Sequence, residues 1–414
     1  MPTSPPQTSD ARGGGDCLSP SPVQRWTGEA SLICEFASAL DDTVATVRSN
    51  IAAFGPHYPD DTTVGGRYLP RPAAPGFAPG ANRGWTTGFW PGMQWLAYEV
   101  TGAPGFRAAG EEHVADFERR VELGEDIDTH DLGFLYTLAC VAPWRLTGSA
   151  GAWRAGIAAA DALMTRFSEP AGVVQAWGDL TDPAQRGRTI IDSLLNMPLL
   201  TWAAEQTGQE RYAAAVARHC ARLAERIVRP DDSTFHTFTW DPATGAPVGG
   251  STAQGAHDDS CWARGQAWGV LGFALNAQAT GDARLLRAAE RCADYLLAHL
   301  PADGVPYWDL VFTSGDEPRD SSAAAIAVCG LHELAPLVNA ERSERYSSAA
   351  RDILRSLVKG YTPGADGVRS DALLLHSVYS APGGVGVDEG SLWGDYFYLE
   401  ALVRHCVTGW RRYW

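Results

Sequence analysis

One register repeats along this chain. Helix-length apolar segments end in Thr-Gly, and fifteen or sixteen positions upstream stand residues that fit poorly in an apolar helix. Trp85 precedes Thr101-Gly102, His130-Asp131 precedes Thr147-Gly148, Asp192 precedes Thr207-Gly208, Arg264 precedes Thr280-Gly281 and Trp393 precedes Thr408-Gly409. Sixteen helical residues span about 24 Å. The turns therefore collect at one end of the helices, and the Asp, Arg, His and Trp side chains at the other. One rim carries the chemistry.

Two kinds of helix alternate. Segments 86–100, 131–146, 192–206, 264–279, 320–337 and 392–407 are apolar nearly all round, the pattern of helices buried on every side. Segments 29–53, 104–123, 151–168, 209–229, 283–300 and 341–359 are amphipathic; in 209–229, Tyr212, Val216, Cys220, Leu223 and Ile227 recur at three-to-four spacing. Six buried and six half-buried helices in alternation predict six hairpins closed into a ring, an all-α (α/α)6 barrel with little strand. Thr-Gly suits the turns because glycine accepts the left-handed conformation that ends a helix. Glycines inside the inner helices, Gly88, Gly133, Gly272 and Gly330 among them, cost helix propensity and predict close backbone approach around a crowded axis. Long irregular segments at 54–84, 169–190, 230–261, 301–319 and 360–390 each enter an inner helix at the chemical rim, and loops of that length are usually functional or disordered. Alternation in 233–251 predicts a small hairpin there.

Residues 1–25, rich in Pro, Ser and Gly, read as a disordered tail, and 26–414 as a single catalytic barrel domain. A net charge of −16 argues against nucleic acid or an anionic membrane as partner. Lys359 is the one lysine, so positive charge is almost all arginine. The eight cysteines, Cys17, Cys34, Cys140, Cys220, Cys261, Cys292, Cys329 and Cys406, are scattered singly, without a CxxC. They are expected to be reduced and buried, which points to a cytoplasmic protein. Neither a secretory signal nor a membrane-spanning run is visible, and the chain is expected to be a monomer or a weak homo-oligomer.

At the rim, Asp131 and Asp192 open inner helices. An isolated Asp at a helix start is usually an N-cap; here two fall in the same register beside the aromatics Phe134 and Trp177. Two carboxylates in an aromatic pocket are the usual equipment of glycoside chemistry. Arg264, in Cys261-Trp262-Ala263-Arg264-Gly265-Gln266-Ala267-Trp268, opens an apolar helix, a costly placement unless it meets an anion. That anion is either a substrate carboxylate or a structural partner such as Asp258 or Asp259. Of fifteen tryptophans, Trp85, Trp90, Trp177, Trp262, Trp268 and Trp393 lie near the rim, where indoles pack on sugar faces, while Trp95, Trp144 and Trp202 read as core. His236 lies in a rim loop. The ten histidines show no metal-ligand spacing, so neither a metal nor another cofactor is expected. Gly383-Gly384-Val385-Gly386 lacks the strand and helix of a nucleotide loop. The fifth hairpin departs from the register, with Asn339-Ala340 at its turn and Asp320-Ser321-Ser322 at the rim, and these read as caps.

With these residues assembled, the chain resembles the unsaturated glucuronyl hydrolases of glycoside hydrolase family 88. The resemblance is carried by Trp85-Thr86-Thr87-Gly88-Phe89-Trp90-Pro91-Gly92, His130-Asp131-Leu132-Gly133-Phe134, Asp192-Ser193-Leu194-Leu195-Asn196-Met197, Trp262 to Trp268, and Trp393-Gly394-Asp395-Tyr396. It covers roughly residues 30 to 410 and is poor in 360–390. It implies removal of a C4=C5 unsaturated uronic acid from the non-reducing end of oligosaccharides left by polysaccharide lyases. By that resemblance Asp192 protonates C4 and then activates water, with Asp131 beside His130 orienting the water. Trp85, Trp177, Trp262, Trp268 and Trp393 would line the pocket, and His130, His236, Gln254 and Arg264 would hold polar groups. Such an acid-then-base carboxylate needs a raised pKa, which an aromatic wall and a neighbouring carboxylate provide.

Three other readings compete. A rhamnogalacturonyl hydrolase on the same barrel would take unsaturated pectin fragments. A sugar-binding barrel without catalysis would have no need of both aspartates. An epimerase on a similar barrel would rely on histidine bases at the rim.

Overall fold

The computed structural model describes residues 34–182, 185–364 and 369–414; the tail expected at 1–25 and Cys17 lie outside them. Its helices are α1 (Ala37–Phe54), α2 (Phe89–Thr101), α3 (Pro104–Glu122), α4 (Leu132–Tyr136), α5 (Ala142–Thr147), α6 (Ala150–Met164), α7 (Met197–Thr207), α8 (Glu210–Arg226), α9 (Ala263–Thr280), α10 (Ala283–Ala298), α11 (Ser321–Leu334), α12 (Ala340–Gly360) and α13 (Leu392–Cys406). The inner helices pack in sequence around an axis, α2 on α4–α5, then α7, α9, α11 and α13, and α13 closes the ring against α2. Their burial matches the apolar pattern: every residue of α9 from Ala263 to Ala277 is buried, whereas α8 buries one stripe, Tyr212, Ala215, Val216, His219, Cys220 and Leu223. This is the six-hairpin toroid expected.

The turns explain the register. Gly102, Gly148, Gly208 and Gly281 all adopt φ between 67° and 73°, and each donates its N–H to the carbonyl four residues back. In each, the preceding threonine hydroxyl also bonds the carbonyl four residues back, at 2.6–2.7 Å. The side chain and the αL residue together satisfy carbonyls that a helix end leaves open. The last hairpin differs, because α13 ends at Cys406, before Thr408-Gly409.

One inner segment departs from a single regular helix. Between α4 and α5, Thr137–Val141 forms a π-helical turn. Pro143 follows it and has no N–H to donate to the previous turn, so the wider winding accommodates the ring without breaking the segment. Close approach around the axis is real: a Cβ on Gly88 would lie 2.6 Å from Leu135 Cα, and one on Gly133 only 2.2 Å from Asn196 Cα.

The turn-side end of the axis is shut by the segment after α13. Trp414 stacks on Phe397 at 5.7 Å and 8° and donates its indole N–H to Glu400, while Tyr413 and Trp410 both donate to Glu99. Strand occurs as short pieces in the loops: β1 (Phe167–Ser168), β2 (Val173–Val174), β3 (Arg188–Ile190), β4 (Thr237–Trp240), β5 (Pro247–Ser251), β6 (Ser377–Ser380) and β7 (Val385–Glu389). The hairpin expected in 233–251 is β4–β5, with β3 added antiparallel to β4. No helix among the described residues is long and apolar enough to cross a membrane.

The cysteine expectation needs correction. Cys140, Cys220, Cys261, Cys292 and Cys329 are buried thiols, but Cys34 and Cys406 form a disulfide. Ring closure is the reason: α1 packs outside the seam where α13 meets α2, and this brings Cα atoms 372 residues apart in sequence to 5.4 Å. The bridge removes the ground on which a reducing compartment was inferred. A disulfide typically contributes about 2–4 kcal/mol. We expect reduction to lower Tm by about 2–5 °C for a chain of this length, and Cys406→Ser to abolish the difference between melts with and without reductant.

Candidate active site

The rim opposite the closed floor gathers the side chains singled out in the sequence. β3 runs directly into a 3₁₀ turn, Ile191–Leu195, which carries Asp192. The Ile191 N–H donates to the His236 carbonyl at 3.0 Å, so the same ladder places His236 beside Asp192. The turn is clamped from outside by Ser193, whose hydroxyl donates to Ile190 O at 2.6 Å and lies 2.8 Å from His219 Nε2 on α8. His219 Nδ1 accepts the Val174 N–H at 3.0 Å, so its proton resides on Nε2 and points at Ser193.

Asp131 sits at the N-cap position of α4 but makes no capping bond, and Asp192 caps nothing either. The capping explanation of both aspartates therefore fails. Their carboxylates turn instead to His130, whose Nε2 lies 3.3 Å from Asp131 Oδ1 and 3.2 Å from Asp192 Oδ1. Thr129 donates its hydroxyl to Asp131 Oδ2 at 2.8 Å. Burial opposes the His130 cation, but the charges of Asp131 and Asp192 outweigh it and raise the imidazole above its ordinary value. Burial, reinforced by Asp192 and opposed by His130, also raises the Asp131 carboxyl.

The ligating atoms of His130, Asp131 and Asp192 all lie within 4.8 Å of one another, the nearest approach to a metal-ligand set among the described residues. Yet His130 Nε2, the ring atom facing both carboxylates, stands at hydrogen-bond distance from each. That geometry suits a shared proton better than an ion.

Aromatic rings wall this centre. Trp85 stacks on Trp393 at 5.3 Å and donates its N–H to the Tyr379 hydroxyl at 3.0 Å. Trp262 lies under His236, with ring centroids 4.4 Å apart. His236 Nδ1 accepts two backbone N–H groups, from Ala253 and Gln254, so its proton is on Nε2, which has no protein partner. Burial pushes its pKa down to about 4, leaving a neutral donor. Trp177 is the most exposed of the wall, 38%, with the Arg188 guanidinium over its ring at 5.0 Å. Its loop is held by the buried Arg166, which donates to the carbonyls of Gln175, Ala176 and Gly178 and pairs with Asp128. Trp268 lies deeper, 1% exposed between Phe134 and Phe397, and supports the wall from behind.

Arg264 finds its anion inside the protein. Its partner is Asp320 at 3.3 Å, not Asp258 or Asp259, and both side chains are buried. The guanidinium also donates to the carbonyls of Val378 and Tyr379 and lies between the faces of Trp262 and Trp393, 4.4 and 4.9 Å from their centroids. Asp320 does cap α11, as read from the sequence, accepting from the Ser322 and Ala323 N–H groups, and it holds Arg264 as well. Gln254 Nε2 donates to Tyr379 O at 2.9 Å. Tyr379 thus joins Trp85, Gln254 and Arg264, and sequence reasoning missed it. The alternation Ser377-Val378-Tyr379-Ser380, now β6, was the available signal.

Residues 70–373 match the family Glycosyl Hydrolase Family 88. The chain is 42% identical over 384 residues to an unsaturated chondroitin disaccharide hydrolase of Streptococcus agalactiae serotype III (strain NEM316), covering 92% of this chain and 93% of the relative. It is 41% identical over 383 residues to an unsaturated glucuronyl hydrolase of Bacillus sp. (strain GL1), covering 91% and 98%. Among solved structures it is similar to an unsaturated glucuronyl hydrolase from Streptococcus agalactiae, with TM-score 0.86, 41% identity and 94% of each chain covered. It is also similar to a mutant of the Streptococcus agalactiae enzyme complexed with dGlcA-GalNAc6S, with TM-score 0.79, 38% identity and 94% and 97% covered.

Two outcomes follow from the geometry. Removing one partner of a buried ion pair strands the other, at a cost of about 3–5 kcal/mol, so Arg264→Ala should lower stability to chemical denaturant by that amount rather than act through KM alone. The raised His130 pKa means that its cation adds stability in full below about pH 6.5, and that this stability is lost as pH rises through the folded value. We expect an imidazole NMR midpoint above 6.5, falling in Asp131→Asn, with a correspondingly flatter dependence of Tm on pH over that window.

Proposed function

The chain belongs to Glycosyl Hydrolase Family 88, and on that premise we propose that it is an unsaturated glucuronyl hydrolase acting on glycosaminoglycan-type disaccharides left by polysaccharide lyases. The observation that carries the chemistry is the buried trio of His130, Asp131 and Asp192 at an aromatic mouth. A C4=C5 enol ether is hydrated, not displaced. A proton goes to C4, the positive charge develops at C5 and the ring oxygen, and water adds to C5. The resulting hemiketal opens, and C1, now a hemiacetal, releases the remaining sugar as its alcohol.

Asp192 is the residue assigned to both proton transfers, giving its proton to C4 and taking one from the attacking water. It is held on the 3₁₀ turn at the pocket, 9% exposed, and bonded to His130. One carboxylate can serve twice because the water's proton restores what C4 removed, so the enzyme ends each cycle as it began. Asp131 and His130 form its polar support: the Asp131 charge lies beside the developing cation, and His130 spans the two acids. An electrostatic contribution of this kind is largest in a site shielded from water.

The wall fits a sugar ring. Trp85, backed by the fully buried Trp393 stacked on it, offers an apolar edge, and we assign the leaving sugar to Trp177, exposed at the mouth. The unpartnered Nε2–H of neutral His236 is a donor for a substrate oxygen. Arg264 acts through Asp320 and the β6 carbonyls as a positioning residue, shaping the wall rather than clamping the substrate carboxylate. The Streptococcus relatives named for chondroitin disaccharide and the dGlcA-GalNAc6S complex support a uronyl-hexosamine substrate.

On mixing the protein with an unsaturated chondroitin disaccharide, the ultraviolet absorbance of the enol ether should decay, with or without a chelator. Asp192→Asn should slow that decay about 10²–10⁴-fold while leaving the far-UV dichroism unchanged. A near-normal rate in this variant overturns the assignment.

A further inference from the structure

Helix α4 begins at the catalytic centre, and its first turn leaves backbone N–H groups that need acceptors. The residue placed to supply one is Asp131, whose side chain would ordinarily accept from the second or third N–H of the helix. It does not. The third N–H, that of Phe134, is instead bonded at 3.0 Å by the Oδ1 of Asn196, a residue at the start of α7, 62 positions away. We infer that Asn196 is a positioning residue for the reaction: it caps α4 in place of Asp131 and so leaves the Asp131 carboxylate turned toward His130.

Several observations converge. Asn196 is fully buried, and its Nδ2 has no partner, so the amide is used at this position for its oxygen. Its approach is built into the backbone. A Cβ on Gly133 would lie 2.2 Å from Asn196 Cα, so the two helix starts touch only because residue 133 is glycine. Asn196 also follows the turn that bears Asp192 and donates its own N–H to Ser193 O at 3.0 Å. One side chain therefore links the segment bearing one acid to the helix bearing the other. Without its oxygen, the Phe134 N–H loses its acceptor while Asp131 stands at the N-cap position, and a carboxylate there gains from both the bond and the dipole. The capping geometry that His130 now prevails over would then compete for Asp131.

This inference rests on the proposed role of Asp131, and its test reads the placement of that carboxylate separately from turnover. In Asn196→Ala, kcat should fall on the order of 10–100-fold with KM little changed, and the His130 imidazole midpoint should fall by half a unit or more. The midpoint is read by NMR on histidine-labelled protein without substrate, the signal being assigned by its loss in His130→Gln. The other groups that interact with His130, namely Asp192, Arg166, His219 and His236, make no hydrogen bond to the Asn196 side chain. Wild-type kcat, or a loss of kcat with the midpoint unmoved, overturns the inference, the second outcome marking a packing defect only. Asn196→Asp keeps the acceptor and deletes no bond. It should retain at least ten times the turnover of the alanine variant, with the His130 midpoint still above 6.5. If the alanine variant does not fold, the aspartate variant decides: background turnover or a midpoint at or below 6.5 overturns the inference. Failure of the wild type on the disaccharide would refute the substrate assignment and leave the midpoint test standing.

Discussion

Two helix starts meet at the mouth of this barrel, backbone against backbone, where Gly133 lies under Asn196. The contact sets the distance between the segments that carry Asp131 and Asp192, and so whether a single imidazole can reach both. His130 does reach both, at 3.3 and 3.2 Å. The remaining rim architecture holds these two starts still. The β3–β4 ladder fixes the Asp192 turn from one side and the His219–Ser193 contact from the other. Arg166 ties down the loop in front, and Arg264 ties down the hairpin behind.

The buried arginines do related work. Arg166 and Arg264 are almost wholly buried, and each donates to backbone carbonyls of a rim loop and to one carboxylate. A guanidinium presents several donors in a fixed plane, so one side chain can fix several turns of irregular backbone at once. That is how loops without regular structure become a rigid wall. At the opposite end, where Trp414 closes the axis, the buried Arg404 instead joins two helices through the carboxylates of Glu333 and Glu400.

Much of the fold was legible because a ring of hairpins imposes a period. The Thr-Gly turns announce themselves by the αL residue and by a threonine that bonds back into the last turn. Apolar-all-round helices announce themselves by having no polar face. From the site, the two aspartates and the tryptophans were legible as misfits in apolar segments. Tyr379 was not, since β6 lies in a loop whose order depends on carbonyls meeting Arg264. Nor was the Cys34–Cys406 bridge, because its partners are 372 residues apart and meet only when the ring closes.

Sequence by itself determined the period, the inner and outer faces, and which end of the helices would carry polar groups. These follow from local rules: glycine ends a helix, and apolar periodicity selects a buried face. Tertiary structure decided what each misfit does. Asp131 and Asp192 each had the local chemistry of a cap, and Arg264 that of a substrate clamp. Which anion or N–H comes within hydrogen-bond reach depends on segments far away in the chain, on Asn196 for α4 and on Asp320 for Arg264. Hydrogen bonds and ion pairs act over distances shorter than one helical turn, so their partners are settled by packing and not by order along the chain.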